Sequence, residues 1–169
     1  MTGTFKIEFD MEGVKTQPAG TPTALVGVRY TVDGRDLVPD DGTETPYTRD
    51  YVPNLLRKWL HYVVSLNDGE ERMFEFTEYS DIQFHMRPNG SDITLTVTKR
   101  HSDESLGSYR LDLNQMAGEI VDATARCREW LLDQNPDLRT NEDVRELEEL
   151  SDMISRRGIT LDEEGDESA

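Results

Sequence analysis

Three histidines, one cysteine and several clustered carboxylates are the side chains of this 169-residue chain best suited to move a proton, hold a metal or attack an electrophile. His85 stands out. It lies in Ile82-Gln83-Phe84-His85-Met86-Arg87, where apolar and polar residues alternate, so its imidazole belongs to the polar face of a strand. Thr94 is expected opposite it and Glu75 one strand away. A carboxylate beside a histidine can orient a proton-transfer group, or it can make an ordinary cross-strand polar pair. His61 shares a helical face with Asn54, Arg57, Lys58 and Ser65, which reads as a solvated face, and His101 lies in a polar turn.

The carboxylates are less specific. Alternation sends Glu75 and Glu78 to opposite faces of a strand, with Asp81 in the turn that follows. Asp40-Asp41-Gly42-Thr43-Glu44 lacks the alternating ligands and the distal glutamate of a calcium loop. Cys127 sits on an apolar helical stripe and reads as a small buried hydrophobe. A single cysteine excludes an intrachain disulfide and any multi-cysteine metal site. No G-x-S-x-G, P-loop, dinucleotide fingerprint or H-E-x-x-H motif occurs. No catalytic residue, cofactor or metal is therefore expected.

The elements that would position these groups follow from periodicity. Residues 4–9 and 23–32 read as strands, separated by a loop containing Gly13, Pro18, Gly20 and Pro22. Asp33-Gly34 is a hairpin turn into a short strand around Leu37-Val38. After a second loop, Val52, Leu55, Leu56, Trp59, Val63 and Leu66 mark a helix over 51–66, with Asp50 as its cap. Four strands follow, at 72–77, 82–87, 93–99 and 108–113. Asn89-Gly90 suits a type I′ turn, which would set Met86 against Ile93, His85 against Thr94 and Phe84 against Leu95. Helices are expected at 114–134, capped by Asn114, and at 141–157, opened by Thr140-Asn141-Glu142-Asp143 and ended by Gly158. Trp59 and Trp130 read as packing residues rather than stacking platforms.

This pattern predicts an α+β fold of two layers, an antiparallel meander with helices on its apolar face. Residues 1–158 form one domain, and 159–169 an acidic, disordered tail. Phe74, Phe76, Ile82, Phe84, Met86, Ile93, Leu95, Val97, Tyr109 and Leu111 should line the apolar face. The opposite face, with Glu75, Gln83, His85, Arg87, Thr94, Thr96 and Arg110, is the candidate binding surface.

Composition bounds the setting. Asp and Glu number 35 against 18 Lys and Arg, a formal charge of −17. Such a chain repels itself at low salt, and molar salt, with a Debye length of about 3 Å, removes most of that penalty. With only Lys6, Lys15, Lys58 and Lys99 as lysines, the composition reads as adaptation to a salt-rich cytoplasm. No basic stripe is present to neutralise phosphates, which argues against nucleic acid, whereas a basic protein partner is electrostatically favoured. No long apolar run suggests a membrane span, and the first residues lack the pattern of a signal peptide.

From 52 to 132 the layout resembles the WapI-type immunity proteins of polymorphic toxin systems. The resemblance rests on Leu55-Leu56-Arg57-Lys58-Trp59-Leu60, Phe74-Glu75-Phe76, Ile93-Thr94-Leu95-Thr96-Val97 and Arg110-Leu111-Asp112-Leu113-Asn114-Gln115. It implies a non-catalytic protein that works by occupying a partner, and it transfers no individual functional residue. Two other expectations stand beside it: a small-ligand binder or enzyme using the face around His85, and a structural subunit of a larger assembly, homo-oligomeric or otherwise.

Overall fold

The alternation in Phe5-Lys6-Ile7-Glu8-Phe9-Asp10 is realised as strand β1, Phe5–Asp10, with Phe5 and Ile7 fully buried and Lys6 and Glu8 exposed. A computed structural model describes residues 2–10, 24–37, 48–75, 82–99 and 104–156. β1 pairs antiparallel with β2, Ala24–Val32. Asp33 and Gly34 then turn the chain with φ of 53° and 82° into the short β3, Arg35–Asp36. Two positive φ values are what the type I′ geometry of an Asp-Gly hairpin requires.

The first helix begins later than its apolar spacing suggests. Thr48–Val52 is a strand, β4, paired with β2 from Ala24↔Val52 to Val28↔Thr48. α1 runs from Asn54 to Asn67, and Pro53 at its N-cap position makes no side-chain cap bond. Asp50, expected as the cap, lies within β4, and the N-cap position is Pro53. Proline disfavours a helical residue before it, so Val52 takes the strand while its side chain stays in the core.

The second sheet is the meander β5, Arg72–Glu75, β6, Ile82–Asn89, β7, Asp92–Lys99, and β8, Ser105–Asp112. β8 starts three residues before the predicted 108, and its pairing with β7 shifts register between Val97 and Thr98. The β6–β7 register is displaced by two from the predicted one: Met86 faces Leu95, His85 faces Thr96 and Phe84 faces Val97. A slip of two leaves every side chain on its own face, so alternation cannot detect it. Asn89 pairs with Asp92, and the turn is Gly90-Ser91, with φ of 68° at Gly90. A glycine at the first central position, followed by a residue of negative φ, is the type II′ solution.

α2, Leu113–Gln134, starts a residue early because the Asp112 side chain, not Asn114, caps it by accepting from the Gln115 N–H at 3.0 Å. Asn135-Pro136 ends it, and Pro136–Thr140 forms a 3₁₀ turn. α3, Glu142–Arg156, is capped by Asn141, whose Oδ1 accepts from the N–H groups of Asp143 and Val144 at 2.9 and 3.3 Å. The expected strand at Val38, loop acids at 40–44, Phe76, Glu78, Asp81, His101, Gly158 and the acidic tail lie outside the described residues.

The result is a two-layer α+β fold with antiparallel sheets, although the strands form two sheets rather than one. A parallel bridge between Gly3 and Leu111 joins them, with the Gly3 N–H donating to the Arg110 carbonyl at 2.8 Å. Trp59 of α1 lies at the centre. It stacks on Phe74 at 4.5 Å between ring centroids and donates its indole N–H to the Tyr30 hydroxyl at 3.2 Å. Tyr30 meets Phe84 edge-on at 5.2 Å, so aromatic rings from both sheets and α1 share one core.

Beyond Gly3, β1 leaves β8, and side chains of α2 take over the pairing. The Gln115 amide donates to the Phe5 carbonyl at 2.8 Å and accepts from the Phe5 N–H at 2.9 Å. The Ile7 N–H donates to Glu119 at 3.0 Å, and Arg126 donates to the Ile7 carbonyl at 3.1 Å. At β5, the Tyr62 hydroxyl donates to the Met73 carbonyl at 3.1 Å and Lys58 to the Glu75 carbonyl at 3.4 Å. Covering strand edges in this way suppresses addition of a further strand.

Candidate functional site

All seven residues expected on the polar face lie on the outer face of the β5–β8 sheet. Register sets their neighbours. Glu75 faces Gln83, His85 lies between Met73 and Thr96, and Thr94 lies between Arg87 and Arg110. The partners of His85 differ from the expected ones. The two-residue displacement of β6 brings Thr96 opposite it in place of Thr94. Its carboxylate partner is Glu71, just before β5, rather than Glu75: the Nε2–H donates to Glu71 Oε1 at 3.0 Å. Glu71 Oε2 lies 3.5 Å from the Arg87 guanidinium, completing a three-residue cluster. A second cluster occupies the far side of the face, where Arg110 Nε donates to Asp92 Oδ2 at 2.7 Å. Between them runs a threonine-rich band in which the Thr96 and Ser108 hydroxyls are 3.3 Å apart.

Charge is sorted unevenly over the molecule. Strands β5 to β8 carry three acids, Glu75, Asp92 and Asp112, against four bases, Arg72, Arg87, Lys99 and Arg110. α3 carries six acids against Arg145 and Arg156. Arg72 and Lys99 have the parity of the inner face, opposite Met86 and Ile82, so the outer face carries Glu71, Glu75, Asp92 and Asp112 with Arg87 and Arg110, a small acidic excess in a protein of charge −17. It also holds Met73, a large hydrophobe that is 40% exposed.

Of the other candidates, His61 is exposed, as expected. Arg57 is not simply solvated: it reaches across to α3, with Nη1 donating to Glu146 at 2.9 Å and to Asp143 at 3.4 Å. Cys127 is 1% exposed, and burial pushes its thiol up to about 12. Trp130 packs partly buried against the core. No group of three or more His, Cys, Asp or Glu is arranged to hold a metal ion among the described residues. No helix among them is long and apolar enough to cross a membrane.

Two recesses lie away from the meander face. One, of about 420 Å³, sits over β1 and β2, and the other, of about 240 Å³, lies between α2 and α3. The first gathers Lys6, Arg29, Thr31 and Asp33, none of which stood out in the sequence. Alternation alone marks Lys6 and Glu8 as polar-face residues, but only the β1–β2 register brings them beside Arg29 and Thr31. No family model, curated protein or solved structure matches the chain.

Proposed function

We propose that this protein is a non-catalytic protein-binding module of a salt-adapted cell, docking its partner on the outer face of the β5–β8 meander. The observation that carries this reading is the threonine-rich face around exposed Met73, on which Glu71 is paired with Arg87 and His85 and Asp92 with Arg110, in a molecule of charge −17. Interface cores are depleted in charge and enriched in methionine and arginine, and this face combines Met73 with Arg87 and Arg110. The layout similarity to WapI-type immunity proteins supports a partner-occupying role. The acidic α3 and loops favour encounter with a basic partner, while the contact surface itself is matched to a less charged patch.

The test is a stoichiometric pull-down from the source cell in molar KCl. Wild type is compared with a Met73→Asp/Arg110→Glu face variant and with a Glu149→Gln control on α3. A partner held by wild type and control but lost by the face variant supports the proposal. No stoichiometric partner, or equal retention by the face variant, sinks it.

A second reading, a small-ligand binder using the same face, draws on the Glu71–His85 hydrogen bond. It requires saturable ligand shifts at His85 that disappear in His85→Gln.

A further inference from the structure

We infer that α3 is a salt-gated outer helix: seated on α1 and α2 in concentrated salt, it lifts away as a unit when salt falls, leaving α1, α2 and both sheets folded. Its place in the fold permits this. The principal contacts of α3 are with α1, α2 and the 3₁₀ turn, and none of them is with a strand. The aromatic cluster of Tyr30, Trp59, Phe74 and Phe84 draws on the sheets and α1 alone, so it survives the loss of α3. Elements outside such a centre can open locally, at lower free energy than the whole domain.

The seat of α3 also has a flaw. Val144, Leu147 and Ile154 are buried and occupy positions i, i+3 and i+10 of an apolar stripe, whose i+7 position is Ser151. Among the described residues, the Ser151 hydroxyl is the one buried polar side-chain group without a hydrogen-bond partner, whereas groups so placed are nearly always partnered. Beside it lies the recess of about 240 Å³, lined from α2 by Val121, Thr124 and Ala125. Serine thus puts an unpaired hydroxyl beside unfilled space at a position where a larger apolar side chain would grip α2.

Charge sets the direction of the switch. Arg57 donates to Glu146 at 2.9 Å and to Asp143 at 3.4 Å, and Arg128 pairs with Glu148 at 2.6 Å. These pairs are partly exposed, so each contributes little. Against them stand the six acids and two bases of α3, in a molecule of charge −17. Glu142 and Glu146, and Glu148 and Asp152, are like charges one turn apart. Attraction and repulsion differ in range. Groups paired at about 3 Å stay within the Debye length even in molar salt, whereas repulsion across about 10 Å is screened first. Added salt therefore removes the repulsion and leaves the pairs, so α3 seats as salt rises and lifts as it falls.

The test is amide hydrogen exchange of the full chain at about 0.1 M and about 2 M KCl. At the lower salt, the amides from Leu147 to Ile154 are expected to share one protection factor, at least about tenfold below that of the paired amides of β7. Raising KCl should protect α3 more than it protects β7. Ser151→Ala removes the unpaired hydroxyl and should raise α3 protection about tenfold. Ser155→Ala, at an exposed position of the same helix, gains helix propensity alone and should raise it no more than about threefold. Equal protection of α3 and β7 at both salts, α3 protection independent of KCl, or equal effects of the two substitutions would each overturn the inference. The salt comparison uses wild type alone, so it decides the matter even if a variant fails to fold. The inference draws on the charge and packing of α3 and not on the meander-face reading, so its failure leaves that proposal standing.

Discussion

Gln115 does with one side chain what a neighbouring strand would do with its backbone. Its amide satisfies both the N–H and the carbonyl of Phe5. Gln115→Ala strands both groups in a part-buried setting and is expected to cost about 1–3 kcal/mol, read from the denaturant midpoint. Gln115→Glu keeps the acceptor and loses the donor, so it should cost less. Cys127 gives a residue-scale pH dependence. Its thiol moves from an ordinary 9.0 to about 12 on burial. The unfolded chain therefore ionises first as pH rises. The stability contributed by the neutral thiol is fully present below pH 9 and is lost as pH climbs towards about 12. Relative to Cys127→Ala, wild type should lose stability across that window; parallel stability-versus-pH curves would refute this.

At the scale of elements, the β6–β7 hairpin shows what pattern can and cannot specify. The faces of Ile82, Phe84, Met86, Ile93, Leu95 and Val97 were legible because alternation fixes parity, and all six are buried. The register was not, because a slip of two preserves parity and the turn alone breaks the tie. Two substitutions test the turn. Gly90→Ala, at φ of 68°, is expected to cost about 1–2 kcal/mol. Asn89→Ala should cost much less, since Asn89 is a paired strand residue. Equal costs in chemical unfolding would contradict the Gly90-Ser91 turn. β4 was hidden for a related reason: Val52 fits a helical stripe as well as a strand, and only its pairing with Ala24, distant in sequence, separates the two. The polar face of the candidate site was readable residue by residue. The Glu71 partner of His85 and the recess beside Lys6 were not, because both depend on register or on side-chain reach rather than on composition.

At the scale of the whole molecule, the acidity is not spread evenly over regular structure. The strands of both sheets are close to balanced, and α1 carries Arg57 and Lys58 with no acid. Among the described elements, α3 concentrates the negative charge. Repulsion there is partly offset by contacts across helices, Arg57 with Glu146 and Arg128 with Glu148. Among the described residues, Glu149 and Asp152 have no such partner. The melting temperature is expected to rise with KCl as screening sets in, and Glu149→Gln/Asp152→Asn should flatten that rise. A domain equally stable at low and high ionic strength would remove the main support for salt adaptation.

The capping of β1 by α2 also supplies a built-in clock. The amide hydrogens of Phe5 and Ile7 are held by Gln115 and Glu119, whereas those of Lys6 and Glu8 point towards β2. Deuterium should therefore enter the first pair at the rate at which α2 lifts away, and the second only when the strands part. Two neighbouring sets of amides on one strand would then time two different opening motions of the same molecule.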